Sequence, residues 1–399
     1  MSKKLSAAVQ NLLLALGSFL LTIVLIEGGA TFFLKDAPKV PPREFPLETD
    51  IWNFDDVRRF SKEKGRIADT ARFILSRNYE EKLTSKPLTA EESALREEAP
   101  SYPLSRNGKQ LWLHAGAVTP DLNEEFQLVG SESGQIKYSV RYTTDKFGRR
   151  KAWDTGDKNI LFLGCSFTFG QGVENEQTFP YLVGQKLGVR TYNAGIPGSS
   201  PSIILKSLRD KTIPGEISGR ETTVILTIIP EHLERITASI AYFRENSHTF
   251  HTHPYAYLED GKIVLKDNFP DDTSFKKKLP FYLSRLNFPK ALGIEFPVSH
   301  EESYLLMAEI LKEIERELRK NYPQIKNFMV SFFPTGNARV INRTLRDVFI
   351  KEKLNVLDFT FLNGPTLFEE DFYLKYDGHP SPITYELYSD LLIHELKRL

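Results

Sequence analysis

The run Thr222–Ile229, TTVILTII, limits the fold more than any other part of the sequence. It is apolar or β-branched throughout, without polar alternation, as expected of a strand covered on both faces. Such strands belong to parallel sheets, which need crossover connections and helices on either side. From Lys158 onward the pattern alternates accordingly. Strands are predicted at Ile160–Leu163, Thr191–Asn193, Asn327–Phe333 and Leu354–Phe359, with helices at Gln177–Leu187, Ser202–Asp210, Glu301–Lys320, Arg339–Lys353 and Pro382–Leu399. Alternation of this kind predicts an α/β domain with a mostly parallel sheet wrapped by helices, over residues 151–399. An excursion rich in aromatics and turns, Ile236–Pro297, interrupts it.

The remainder divides into two parts. Ala7–Ile26 is apolar except for Gln10, Asn11, Ser18 and Thr22, and follows Lys3 and Lys4. About 20 such residues cross a bilayer as one helix. The lysines place the amino terminus in the cytoplasm and everything after Lys35 outside it. Residues 1–35 are therefore expected to form a cytoplasmic stub and a single transmembrane anchor, with a cleaved signal peptide as the alternative. Residues 36–150 form a linker and a small region. Asp36–Leu47 is proline-rich, the charged window Thr89–Ala99 has helical propensity without an apolar stripe, and Lys109–Val118 and Gln135–Thr144 read as antiparallel strands.

Composition excludes several functions. Lysine plus arginine and aspartate plus glutamate balance at 52 each, so no global field favours nucleic acid. A hydrophobic content of 41% with 12% aromatics argues against disorder. Cys165 stands alone, which rules out an intrachain disulfide or a multi-cysteine metal site. His248, His251 and His253 have ligand-like spacing but lack acidic partners, so they read as a loop beside the cleft rather than a metal site. Tyr242, Tyr255 and Tyr257 either stack on a substrate there or pack the interior.

Chemistry concentrates in three segments. In NILFLGCSFTFGQG, Asn159–Gly172, a strand ends at Gly164 and Ser166 follows among small and aromatic residues. Ligands of open α/β sheets bind beyond the carboxyl ends of the strands, so Ser166 is placed to be a nucleophile. In KYDGHPS, Lys375–Ser381, His379 can serve as its base, with Asp377 to fix the tautomer. In NAGIPGSS, Asn193–Ser200, two glycines after a strand leave backbone N–H groups to face an oxyanion. Read without chemistry, Asp377-Gly378 is a turn pair, and Gly195 and Gly198 are tight-turn glycines. Cys165 is a small buried residue or, alternatively, a reactive thiol.

Taken in order, GCSFTFG, NAGIPG and DGHPS resemble the sequence blocks of the SGNH hydrolases, the GDSL-type esterase and acyltransferase superfamily. The resemblance spans roughly Lys158–Leu399. It implies a flavodoxin-like three-layer α/β/α domain, behind a transmembrane helix and a small mixed or β region. It also implies acyl-ester chemistry without a metal or other cofactor. Ser166 would attack, His379 would act as base and then acid, and Asp377 would orient it. The N–H groups of Ser166 and Gly198 would hold the oxyanion.

Three positions depart from the family pattern. Cys165 stands where the family has aspartate, and Asp377 and His379 lie one residue closer together than usual. The third oxyanion donor, an asparagine in the family, is absent from IIPEHLER, Ile228–Arg235. His232, Arg235 and Asn193 are candidate site contacts. The expected function is a serine esterase or O-acyltransferase on acyl esters of cell-envelope glycans, outside the cytoplasm. The alternative is a catalytically silent SGNH-like module that binds glycan or scaffolds an envelope assembly. Expected partners are an acylated small-molecule or polysaccharide substrate and, through the anchor, the membrane, with no nucleic acid.

Overall fold

The computed structural model describes residues 104–105, 111–114, 117–130, 133–245, 254–266, 275–292, 294, 301–333, 339–359, 373–374 and 377–398, together with Ala90. The expected anchor at 1–35, the linker, the rest of the charged window and the three histidines of HTFHTH lie outside them. Among the described residues no helix is long and apolar enough to cross a membrane.

Strands β1 (Leu104–Ser105), β2 (Trp112–His114), β3 (Ala117–Val118), β4 (Asn123–Val129) and β5 (Ile136–Thr143) come first. Next come β6 (Asn159–Gly164), α1 (Ser166–Phe169), α2 (Phe179–Leu187), β7 (Arg190–Gly195), α3 (Pro201–Arg209) and β8 (Thr222–Ile228). The excursion holds α4 (Glu231–Thr237), α5 (Ile240–Glu245), the hairpin β9 (Tyr255–Glu259) and β10 (Lys262–Lys266), α6 (Phe275–Ser284) and α7 (Asn287–Ala291). The chain closes with α8 (Glu301–Asn321), β11 (Ile325–Phe332), α9 (Arg339–Lys351), β12 (Val356–Asp358) and α10 (Pro382–Leu396).

Three helices start on the same chemistry. The hydroxyls of Thr178, Ser200 and Ser381 accept the N–H groups of Tyr181, Ile203 and Thr384, and a proline occupies the first turn each time. The hydroxyl satisfies one orphan donor, and proline's fixed φ costs nothing where its N–H would be unpaired. The Thr178 cap also explains why α2 begins at Phe179 rather than Gln177. The preceding residues, Asn175–Gln177, form a separate 3₁₀ turn.

Five parallel strands make the main sheet, in spatial order β12-β11-β8-β6-β7. Counted along the chain this is 2-1-3-4-5, the flavodoxin-like order, whose switch point falls between β6 and β8. Alternate residues feed opposite faces, as the pleat requires. Leu161, Leu163, Val224, Leu226, Val330 and Phe332 join one apolar cluster with residues of α3 and α8. Ile160, Phe162, Ile225 and Met329 join the other, with residues of α2 and α10. Helices therefore cover both faces.

The small β region is not separate from this core. Strand β4 pairs antiparallel with β1 and β5, and Phe126, Val140 and Tyr142 belong to the same apolar cluster as Leu161, Ala194 and Ile204. Apolar packing is thus continuous across position 150. Just past β5, the main chain of Arg150 donates to the carbonyl of Asn193 at 3.0 Å, close to the carboxyl end of β7.

Candidate active site

Strand β6 delivers Ser166 to the switch point. Its last residue pairs with Gly195 of β7, and α1 begins two residues later. Cys165 occupies the N-cap in extended conformation, and Ser166 is the first helical residue, 5% exposed. At that position helix geometry gives a backbone N–H no intrahelical acceptor. The Ser166 carbonyl accepts from Gly170 and Gln171, which closes the turn behind the hydroxyl. Cys165 is buried, and burial pushes its thiol pKa up despite Arg235. It is the small interior residue of the two readings, kept in its unreactive thiol form.

The glycine segment flanks this turn, and its two glycines are required for different reasons. Gly195 ends β7 with an ordinary φ, but a Cβ there would meet Phe169 N and lie 2.7 Å from the Thr168 carbonyl carbon. Backbone packs on backbone, so Gly195 is a close-approach glycine rather than a turn glycine. Gly198 has φ +74° with open space where a Cβ would stand, so conformation selects glycine there. The neighbouring N–H groups of Ile196 and Ser199 are used internally, on Gly164 and Ile196 carbonyls at 3.0 Å each.

Asn193 is wholly buried. Its amide donates to the Phe169 carbonyl at 3.3 Å and accepts from Gly195 N–H at 3.1 Å, tying the glycine segment to the nucleophile turn. Arg235, on α4, donates to the Ser199 carbonyl from the other side. His232, one turn earlier, is 0% exposed, and neither ring nitrogen has a hydrogen-bond partner among the described residues. Burial, reinforced by Arg235, drives its pKa well below the ordinary histidine value, so the ring is neutral. Of the three candidate contacts, Asn193 and Arg235 shape the glycine loop through its backbone, and His232 lies inside the protein.

His379 and Asp377 meet despite their short spacing. Nδ1 of His379 lies 3.0 and 2.9 Å from the two carboxylate oxygens of Asp377. The segment turns tightly: Asp377 N–H donates to Leu374 O at 3.0 Å, and Leu374 N–H to His379 O at 2.7 Å. Burial alone would raise the Asp377 pKa. His379, the Gly378 N–H and Lys137 outweigh it and hold the carboxyl below its usual value.

The imidazole lies against Phe167, the residue after Ser166, with ring centroids 5.7 Å apart. Phe167 in turn stands edge-on to Phe333, just past β11, at 5.3 Å. The Asp377–His379 pair and the Ser166 turn are therefore neighbours at the carboxyl end of the sheet. Among the described residues no hydrogen bond joins Ser166 to His379; such bonds commonly tighten only with substrate in place.

Sequence reasoning missed the support from the β region. The Tyr142 hydroxyl accepts the Gly172 N–H at 2.8 Å, Glu174 accepts the Arg141 N–H at 3.2 Å, and Arg150 reaches beneath the turn. No local pattern announces these contacts, because their acceptors are main-chain carbonyls or lie far along the sequence. Among the described residues no group of histidine, cysteine, aspartate or glutamate is arranged to hold a metal.

No family model matches the chain, and no curated protein matches it. Solved structures that the chain matches include a lipolytic protein of the G-D-S-L family from Veillonella parvula, 13% identical, covering 61% of this chain and 100% of that one, at a TM-score of 0.33. An acetyl xylan esterase from the rumen bacterium Butyrivibrio proteoclasticus is 12% identical over 62% of this chain and 65% of its own, at 0.34. Another acetyl xylan esterase, from Geobacillus stearothermophilus, is 15% identical over 61% of this chain and 95% of its own, at 0.32. The chain is thus similar, over about three fifths of its length, to lipolytic proteins of the G-D-S-L family and to acetyl xylan esterases.

Proposed function

We propose that the protein is a serine esterase or O-acyltransferase working through an acyl-enzyme on Ser166. The observation that carries this reading is the Asp377–His379 pair lying beside the Ser166 turn at the switch point of the sheet. With Nδ1–H donated to the carboxylate, the lone pair of the neutral imidazole sits on Nε2, the tautomer a general base needs. His379 Nε2 takes the Ser166 hydroxyl proton as Oγ attacks the acyl carbonyl. The backbone N–H groups of Ser166 and Gly198 receive the oxyanion. Collapse breaks the ester C–O bond, and His379 returns the proton to the departing alkoxide. Water, or a carbohydrate hydroxyl, then attacks the acyl-enzyme with His379 again as base and releases Ser166.

The substrate class we favour is an acylated envelope glycan, reached by a domain held outside the cytoplasm on the anchor at residues 1–35. The apolar run behind two lysines supports that placement, and the resemblance carried by the three ordered motifs supports the acyl-ester chemistry. The test is hydrolysis of p-nitrophenyl acetate by the purified full chain, with fluorophosphonate labelling. Adduct on Ser166, and loss of turnover to background in Ser166→Ala, support the enzyme. Adding a carbohydrate acceptor then separates hydrolysis from transfer by the product formed.

The alternative is a silent glycan-binding or scaffold module. It is favoured by the unbonded Ser166–His379 pair and by Pro230–His232 standing where the family carries its asparagine. No adduct on a fully folded chain would select it.

A further inference from the structure

We infer that Arg150 is a positioning residue that locks the nucleophile turn to the glycine loop, fixing the relative placement of Ser166 and Gly198. The inference rests on the esterase reading, and its geometry is independent of it. Arg150 is among the largest fully buried side chains of the protein, 1% exposed, and its guanidinium contacts no carboxylate among the described residues. Its donors go to polar atoms of the segment that follows Ser166. Nε donates to Asn175 Oδ1 at 3.0 Å and Nη1 to the Phe169 carbonyl at 3.0 Å. Nη1 also reaches the Gly170 carbonyl, and Nη2 the Val173 carbonyl.

The guanidinium carbon lies over both rings of the edge-to-face Tyr142–Phe169 pair, 4.7 Å from the Tyr142 centroid and 5.0 Å from that of Phe169. Its main-chain N–H, meanwhile, holds the Asn193 carbonyl at 3.0 Å. Asn193 then returns to both sides, donating to Phe169 O and accepting from Gly195 N–H. One residue thus grips the two backbone segments that must converge on an oxyanion.

Burying a cation without a counter-ion is costly unless its donors are satisfied. Here carbonyls at the carboxyl end of α1 and along the following loop satisfy them. Burial lowers the guanidinium pKa to about 10 against the pull of Tyr142, Tyr385 and more distant acids, which leaves it charged at neutral pH. A lysine could keep the charge but would donate from a single nitrogen, whereas the planar fork reaches carbonyls on two sides at once.

The experiment compares the wild-type chain with Arg150→Lys by steady-state kinetics and by hydrogen exchange of the Gly170–Val173 amides. We expect kcat to fall by about 10- to 100-fold with KM within about two-fold, as for a misplaced reactive group. Exchange of those amides should accelerate at least about ten-fold while distant strands keep their protection. Unchanged kcat in a folded Arg150→Lys protein, or unchanged exchange, overturns the assignment. Lower stability with wild-type kcat marks a purely structural arginine, which also overturns it. If Arg150→Lys does not fold, Asn175→Ala removes only the Nε acceptor, and exchange at Gly170–Val173 decides in the same way. Failure of fluorophosphonate to label wild-type Ser166 refutes the esterase reading instead, and leaves the exchange result to judge the lock.

Discussion

Replacing Gly195 by alanine tests how the nucleophile is held. A methyl group there would lie 2.7 Å from the Thr168 carbonyl carbon and 2.9 Å from Phe169 Cα, with Phe169 N closer still. Ordinary contact begins near 3.4 Å, so the nearer carbon is about 0.7 Å inside it. All three atoms are backbone, and no rotamer change relieves them. Gly195 cannot retreat easily, since it pairs with Gly164 on β6, and β6 is pinned by β8 on its far side. The strain therefore falls on α1, four residues long, which begins with Ser166.

Overpacking of this kind costs about 1–3 kcal/mol of stability. A reactive group misplaced by about 1 Å loses on the order of 100-fold in rate. Gly195→Ala should thus lower the urea midpoint and depress kcat for p-nitrophenyl acetate together. Gly198→Ala is the control. Its methyl meets nothing within 4 Å, so only the left-handed φ is penalised, at about 1–2 kcal/mol, without a push on α1. A Gly195→Ala protein with wild-type midpoint and kcat within two-fold of normal would refute the reasoning.

Two further outcomes follow from the titratable groups. His232 is neutral and buried when folded but takes up a proton near its ordinary value, about 6.5, when unfolded, so its contribution to stability declines as pH drops below that value. The slope it adds is up to about 1.4 kcal/mol per pH unit, and His232→Leu should remove it. Urea titrations at neutral pH and near pH 5 measure the difference, and equal pH dependence in both proteins counts against the assignment. Asp377→Asn should keep the fold and cost about 10³- to 10⁴-fold in kcat, since the amide no longer fixes the Nδ1–H tautomer of His379. A loss below ten-fold would mean that another group orients the imidazole.

The sheet was legible because its strands are covered on both faces. TTVILTII admits little else, and its predicted partners emerge in parallel within one or two residues of their expected limits. Ser166, Gly198 and the Asp377–His379 pair were also visible, since each sits beside a strand end or a helix cap with its own local signature. Helix α1 was not visible, because four residues carry no periodicity. Nor was the distinction between the glycines of NAGIPG. One is chosen by φ and the other by α1 lying against it, and sequence records only that both lack a side chain. Arg150 was hidden most completely. In sequence it is one more cation in FGRRK, and its partners are main-chain carbonyls that every residue type possesses.

The shared core across position 150 bears on how the chain is made. Strands β4 and β5 leave the ribosome early, with Phe126 and Tyr142 awaiting apolar surface from β6, β7 and α1. His379 follows Ser166 by 213 residues, so the proposed base emerges long after the proposed nucleophile. A chain stalled or clipped before Asp377 would present Ser166 with its supporting hairpin but without the proposed proton acceptor. Synthesis itself would therefore keep the proposed nucleophile idle until the Asp377–His379 segment has emerged.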